Sequence, residues 1–256
     1  GALDDGFGRN LLTQNALDVA DSLQKVHPGY YNHFIEVIPG DGHSIDYRPT
    51  TPWLAQYTRD PHPDFFHWEN FDMYGRKREG FHNLRILQAS LPSTNPNRVS
   101  YEMTREGNTV NLDVNRIVYT TTYSHPSYGF AMYFSKKYYA VTRGKVRLYL
   151  NEQEYDLTQP VKVVLNGEEI FSGLVRPDLK TMVESCAFFF DPERVFPAAI
   201  DIDLKTKTAL PTSIDVIEAE GEDAEQEVIY DLSGRRVLSP KKNGIYVSNG
   251  RAILVQ

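Results

Sequence analysis

Apolar residues recur at intervals of three and four near the start of the chain, which is the spacing of one face of a helix. The positions with this spacing are Leu12, Ala16, Val19, Leu23 and Val26. They predict an amphipathic helix over residues 11–26, which Pro28-Gly29 ends. The apolar run at residues 33–38 predicts a β-strand that stops at the turn Pro39-Gly40-Asp41-Gly42. A helix followed by such a strand is half of a βαβ unit, so we expect part of a parallel α/β sheet here.

Residues 48–80 are crowded with Pro, Trp, His, Phe and Arg. A short helix is expected at residues 50–54, because Thr51 suits an N-cap and Pro52 the first helical position. The remainder of this segment is expected to be an aromatic loop.

The pattern changes after residue 81 to short strand-like runs separated by turn signals. The predicted strands are residues 85–89, 99–105, 109–114, 116–122, 131–134, 145–150, 161–165 and 196–202. The strongest hairpin joins residues 161–165 to residues 169–171 through Asn166-Gly167, a pair that favours tight hairpin turns. Many short strands with frequent turns predict a β-sandwich over residues 96–204.

Residues 205–227 are polar and acidic, which indicates a linker. Beyond it, the runs 228–230, 244–247 and 252–255 predict a small three-stranded β-unit. Such a unit is too small to be stable without support.

Composition excludes several classes of function. The formal net charge of the 256 residues is -7, and the longest basic run is Arg76-Lys77-Arg78, so nucleic-acid binding is not expected. A single cysteine, Cys186, excludes an internal disulfide and a cysteine-based zinc site, and its aromatic neighbours predict a buried thiol. No apolar stretch approaches the length that spans a bilayer. The sequence starts without methionine or signal peptide, which suggests a processed chain or a fragment.

A carboxylate and an imidazole flank the predicted helix and strand. Asp4 lies in the opening segment, with Asp5 as the fallback acid, and His43 follows the glycine-rich turn. In a Ser-His-Asp arrangement the acid holds the imidazole in one tautomer and stabilises the imidazolium, so the two groups must converge from adjacent strand ends. An acid loop, a helix, a strand and a histidine supply that order.

At these residues the first ninety or so positions resemble the α/β-hydrolase superfamily, in particular secreted bacterial esterases and prolyl-oligopeptidase-like enzymes. The resemblance implies that Asp4 is the catalytic acid and His43 the catalytic base. The sequence contains no Gly-x-Ser-x-Gly nucleophile motif. Ser44 beside His43 is not expected to replace it, because adjacent side chains at a strand end point in different directions. The expectation is therefore a C-terminal α/β-hydrolase segment, residues 1–95, whose nucleophile lies upstream of this sequence.

Other candidates admit two interpretations. Trp53, Tyr57 and Trp68 either line a substrate cleft over His43 or anchor a long loop on the core. The histidines at positions 62, 67 and 82 lie near carboxylates in sequence, but their spacing matches no metal-ligand pattern, so packing or solvated roles are favoured. We expect no metal and no cofactor.

The last thirty residues carry a second resemblance. Val228–Val237, Lys242–Val247 and Asn249–Gln256 look like the C-terminal sorting domain of Bacteroidetes proteins exported by the Por-type (type IX) secretion route. The resemblance implies a secreted or cell-surface protein that meets the secretion machinery through residues 228–256. The middle β-region resembles Ig-like modules appended to such hydrolases.

Together these patterns predict an α+β multidomain chain: a partial α/β-hydrolase, an Ig-like β-sandwich and a small C-terminal β-domain. The expected function is part of a serine-type hydrolase acting on ester or peptide bonds, with a small molecule, peptide or polymer as substrate. The alternative is a non-catalytic secreted or surface module with a degenerate hydrolase segment that binds a polymer or a protein.

Overall fold

The computed structural model describes residues 3, 8–43, 46–72, 76–92, 97–213, 229–231, 234, 236–237, 244–248 and 251–255. The chain divides into two compact units, Gly1–Ile214 and Asp215–Gln256. The described residues form mostly β-sheet with few helices, which agrees with the predicted α+β class in its broad sense.

The larger unit contains a six-stranded sheet. Its strands are β1 (Phe65–Asn70), β4 (Arg98–Glu106), β5 (Thr109–Ser124), β6 (Ala131–Ala140), β8 (Val161–Leu165) and β9 (Glu168–Gly173). The order is β1-β4-β5-β8-β9, and β6 pairs with the second half of β5. β5 and β8 are parallel, whereas the other neighbours in this sheet are antiparallel.

A second sheet has five antiparallel strands. They are β2 (Gly80–Phe81), β3 (Leu84–Gln88), β7 (Lys145–Leu150), β10 (Ala198–Asp203) and β11 (Thr208–Pro211), in the order β11-β10-β7-β3-β2.

Both sheets contribute to one hydrophobic core. Fully or almost fully buried members are Leu84, Val146, Leu148, Ile200 and Ile202 from the five-stranded sheet and Tyr101, Met103, Val110, Leu112 and Val163 from the six-stranded sheet. Burial alternates along β8, where Val161, Val163 and Leu165 are buried and the residues between them are half-buried. This period of two is the reason that the run folds as a strand with one face in the core.

Three helices accompany the sheets in the described residues: α1 (Arg9–Val26), α2 (Thr50–Leu54) and α3 (Leu179–Phe189). The prediction of α1 is confirmed, but none of its residues is buried. α2 is also confirmed as a helix, although its N-cap is Pro49 and not Thr51. α3 was not predicted; Asp178 caps it by accepting a hydrogen bond of 2.8 Å from the Thr181 N–H.

The N-terminal region departs from the predicted parallel sheet. Residues 33–38 form no strand, because a strand exists only through pairing and none of the described residues pairs with them. β1 was expected to be loop, and it pairs with β4 in antiparallel register. β1 and β3 both pair with strands beyond residue 95, so the predicted boundary at that position falls inside the sheets of the larger unit.

The predicted strands of the sandwich region are largely present. Residues 145–150 and 161–165 form strands with the predicted bounds, and the Asn166-Gly167 hairpin is confirmed. The runs 109–114 and 116–122 form one continuous strand, because Asn115 between them is paired with both neighbouring strands, β4 and β6. Cys186, expected to be buried, is exposed on α3.

The predicted linker begins too early, because β11 lies within residues 205–227 and pairs with β10. Residues 214–228 lie outside the described residues. The smaller unit contains the antiparallel strands β12 (Ile229–Tyr230), β13 (Arg236–Val237), β14 (Gly244–Ser248) and β15 (Arg251–Val255), in the order β13-β12-β14-β15. It has the three predicted strands and one more.

Candidate functional site

A tight turn presents His43. The Asp41 N–H donates to the Ile38 carbonyl at 3.4 Å, and Gly40 has a φ of 79°. Proline at the second position and a glycine with positive φ at the third are the sequence requirements of a type II turn. The imidazole of His43 lies two residues beyond this turn and is exposed.

The opening segment of the chain contacts the same turn. The Leu3 N–H donates to the Asp41 carbonyl at 2.9 Å. The sequence places Asp4 directly after Leu3 and His43 two residues after Asp41. Asp4 and Asp5 themselves lie outside the described residues. The backbone contact therefore joins the segments next to the predicted acid and the predicted base, between residues that are 38 positions apart in the chain.

α1 is attached to the six-stranded sheet near both of its ends. The Asn15 side-chain amide donates to the Met132 carbonyl at 3.3 Å. At the other end, the His27 ring stacks on Phe65 with 3.9 Å between ring centroids. The helix between the acid and base loops is thus held by polar and aromatic contacts, although its apolar stripe stays partly exposed.

The three predicted substrate-binding aromatics do not lie together. Trp53 and Tyr57 have ring centroids 5.0 Å apart, and Phe34 lies 6.2 Å from Trp53. Trp68 is 7% exposed and packs between Phe81 and Tyr101 in the core. Its large ring is buried because β1 is a core strand and not a loop. Trp68 therefore does not line the predicted cleft.

Glu69 is the centre of a charged cluster on the opposite face of β1. Its carboxylate accepts hydrogen bonds from Lys136 at 2.7 Å, from Arg98 at 3.0 Å and from the Tyr119 hydroxyl. Burial alone raises the pKa of Glu69, but hydrogen bonds from His67, Lys136 and Tyr119 outweigh it and hold the pKa well below its usual range. Because these donors come from β4, β5 and β6, the carboxylate links β1 to three other strands of the sheet.

A second polar cluster is buried between the strands. Glu154 is 7% exposed, and its Oε2 lies 3.7 Å from Nδ1 of His62. Burial raises the pKa of Glu154 to about 7 and lowers that of His62, so each group is pushed towards its uncharged form. Several buried polar atoms near it have no hydrogen-bond partner among the described residues: Asn83 Oδ1, Arg105 Nε, Glu154 Oε2, Tyr155 Oη and Arg194 Nε. This cluster could not be predicted from the sequence, because Glu154 lies between the exposed acidic residues Glu152 and Asp156 and no local pattern marks it as buried.

The described residues contain no group of three or more His, Cys, Asp and Glu side chains that fits a metal ion. His62, His67 and His82 have separate partners: His67 contacts Glu102, and His82 contacts Arg194. Among the described helices, none has both the length and the apolar character needed to cross a membrane.

Comparison with known proteins found no matching family model, curated protein or solved structure.

Proposed function

We propose that this chain is part of a serine-type hydrolase acting on ester or peptide bonds, with His43 as the general base and Asp4 as its orienting acid. The observation behind the proposal is the hydrogen bond from the Leu3 N–H to the Asp41 carbonyl, 2.9 Å long. It supports the convergence of the acid-bearing and histidine-bearing loops that such a mechanism requires.

In this mechanism His43 removes the proton from a nucleophilic hydroxyl as it attacks the scissile carbonyl. The imidazolium then returns that proton to the leaving alcohol or amine. Asp4 accepts a hydrogen bond from the other ring nitrogen, which fixes the tautomer and stabilises the positive charge. The sequence contains no Gly-x-Ser-x-Gly motif, so the proposal assigns the nucleophile, and the sheet neighbours of residues 33–38, to a polypeptide segment outside this sequence.

The test is hydrolysis of p-nitrophenyl acetate and fluorophosphonate labelling by the full-length gene product. We expect His43→Ala to lower kcat/KM by a factor of about 10³ or more. His33→Ala is the matched control, because His33 precedes the turn and its Nε2 lies 2.9 Å from a carboxylate oxygen of Asp21. The kcat/KM of this variant should stay within about twofold of wild type. Equal activity of the wild-type and His43→Ala proteins would end the catalytic proposal.

The identity of the acid is tested separately. Asp4→Asn should lower kcat/KM by a factor of about 10³ to 10⁴, because the carboxylate that holds the His43 tautomer is lost. Asp5→Asn serves as its neighbour control and should have a small effect. The reverse result would assign the acid to Asp5 and leave the role of His43 intact.

The alternative function, a polymer- or protein-binding module, is favoured by the exposed aromatic residues of the β5–β6 ribbon, among which Phe134 and Tyr138 share one face. The ribbon formed by β5 and β6 exposes a series of aromatic side chains: Tyr123, Tyr128, Tyr133, Phe134, Tyr138 and Tyr139, each 36–51% exposed. Exposed apolar patches of this kind mark interaction surfaces. Co-sedimentation with insoluble cellulose, chitin or xylan tests the polymer form, and Phe134→Ala combined with Tyr138→Ala should abolish it.

We also propose that the smaller unit directs export to the cell surface. Its support is the separate antiparallel sheet of β12 to β15 and the resemblance of its sequence to a sorting domain. Deleting residues 215–256 in the native host should retain the protein inside the cell, as measured by immunoblotting of cell and culture fractions. Unchanged export of the truncated protein would contradict this role.

A further inference from the structure

A cavity of about 490 Å³ lies between the segment after α1, the loop before β1 and the turn between β2 and β3. This volume is within the range of roughly 300–1,000 Å³ that small-molecule sites occupy. Its apolar lining is mostly aromatic or proline: Pro28, Tyr30, Tyr31, Pro63, Phe65, Phe66 and Phe81. Its polar and ionisable side chains, apart from the tyrosines, are Thr58, Asp60, His67 and His82, of which His67 is paired with Glu102.

The ring of His82 is fixed in place on the cavity wall. It stacks on Phe66 with 5.4 Å between centroids and meets the edge of Phe81 at 4.5 Å. The backbone of His82 has a φ of 48°, in the left-handed region that non-glycine residues seldom adopt. Backbone conformations of this kind concentrate at functional positions, because surrounding structure must hold them.

Arg194 sets which nitrogen of His82 is a donor. Its guanidinium Nη2 lies 3.3 Å from Nδ1 of the imidazole, and since arginine only donates, Nδ1 accepts. The ring proton therefore resides on Nε2, which bonds to no other described residue. Burial and the neighbouring Arg194 lower the pKa of His82 to about 4, so this donor is uncharged throughout the physiological range.

Asp60 supplies the complementary acceptor. One of its carboxylate oxygens accepts a hydrogen bond of 2.9 Å from the His62 N–H, and the other has no partner among the described residues. The Thr58 hydroxyl both donates and accepts. The cavity thus offers an uncharged donor, a charged acceptor and a bifunctional hydroxyl beside aromatic faces.

We propose that this cavity binds a sugar ring. A saccharide has hydroxyl groups that donate to a carboxylate and accept from an imidazole N–H, and it has C–H faces that pack on aromatic rings. An aromatic ligand uses the rings but leaves the second carboxylate oxygen of Asp60 without a donor, which is unfavourable once water is displaced. The proposed sugar site does not depend on the proposed catalytic role of His43, and it is tested separately.

The test is saturation-transfer NMR on the intact protein with methyl glycosides of glucose, galactose, mannose and xylose, and with cellobiose, as probes. We expect transfer to at least one of these probes at millimolar concentration. Asp60→Asn should raise its Kd at least fivefold, since the amide loses an acceptor without changing the shape of the side chain. Asp18→Asn, on the exposed face of α1, is the matched control and should bind as wild type.

Tyr30→Ala tests the aromatic face and should also raise the Kd at least fivefold. Its control is Tyr128→Ala, because Tyr30 and Tyr128 are 46% and 51% exposed and Tyr128 is distant in sequence from the cavity segments. Near-UV circular dichroism checks that each variant is folded. Transfer to none of the sugars, transfer that both cavity variants leave unchanged, or transfer only to an aromatic probe such as methyl benzoate would overturn the proposal.

Discussion

His67 and Glu102 lie directly opposite each other on the antiparallel strands β1 and β4, and Nδ1 of the imidazole is 2.9 Å from a carboxylate oxygen of Glu102. Opposite charges on directly paired residues stabilise a sheet. The hydrogen bond to Glu102, with a further contribution from Glu69, raises the pKa of His67 to about 9. The folded protein therefore favours the protonated imidazole of His67.

The stabilisation by His67 should depend on pH. Because the folded-state pKa is raised above the unfolded value near 6.5, the contribution is fully present below pH 6.5 and is lost as the pH rises through 9. We expect His67→Gln to lower the free energy of unfolding by about 1–2 kcal/mol more at pH 6 than at pH 9.5, after allowing for partial solvent screening. Urea denaturation at both values measures this, with His125→Gln as control. An equal cost at both values would show that the pair is not ionic.

Glu154 should also lower the stability of the fold as the pH rises, because the penalty of burying its charged form is only partly offset. Burial raises its pKa from 4.5 to about 7, so the fold favours the protonated acid, and its stabilising effect is lost as the pH rises from 4.5 through 7. Glu154→Gln keeps the shape and removes the titration. The free energy of unfolding of this variant, relative to wild type, should increase by about 2–3 kcal/mol between pH 4.5 and pH 8.

The control for this experiment is Glu152→Gln, two residues away and exposed. It should track the wild-type pH dependence. If the Glu154→Gln and wild-type curves remain parallel across this range, Glu154 titrates normally in the folded protein.

Local patterns predicted those parts of the fold that depend on local chemistry. The hairpin at Asn166-Gly167 follows from turn residues that tolerate positive φ, and α1 follows from a repeated apolar spacing. β1 escaped prediction because Phe65 and Phe66 are adjacent and both buried, which hides the alternation that indicates a strand. Phe65 is covered by His27, a contact between distant positions that no local pattern reveals.

The candidate sites were likewise predictable only where they depend on local sequence. The turn that presents His43 is readable from Pro39-Gly40, and the sequence order of acid and base suggested that their loops meet. The sugar-binding cavity was not foreseen, because Asp60 and His82 meet only after β1 and β2 are in place. The raised pKa of Glu154 likewise depends on burial by residues far away in the chain.

Ser185 links α3 to the segment just before β10. Its hydroxyl is fully buried, accepts a hydrogen bond of 2.9 Å from the Phe196 N–H and lies 2.9 Å from the Met182 carbonyl. Ser185→Ala leaves the Phe196 N–H buried without a partner, so we expect a loss of about 1–3 kcal/mol in the free energy of unfolding. Chemical denaturation measures the loss, and Ser172→Ala, at an exposed position in β9, should change it by less than about 0.5 kcal/mol.

Gly144 permits the close approach of the segment before β7 to the segment after β3. Its φ is 118°, and a Cβ added there would lie 2.5 Å from Ser90 Oγ and 3.1 Å from the Gln88 carbonyl oxygen. Gly144→Ala therefore meets both a backbone conformation unsuited to an L-residue and a steric overlap with main chain, and we expect it to destabilise the protein by about 3 kcal/mol or more.

Gly107→Ala separates these two causes. Gly107 also has a positive φ, 58°, but a Cβ there would meet no atom within 4 Å, so only the conformational cost of about 1–2 kcal/mol remains. The two variants are compared by their midpoints in thermal unfolding, and Ser90→Ala in the Gly144→Ala background should recover part of the loss by removing the nearest atom. Equal destabilisation by the two glycine replacements, with no recovery from Ser90→Ala, would mean that the contact between these two segments relaxes freely and that backbone conformation alone sets the cost.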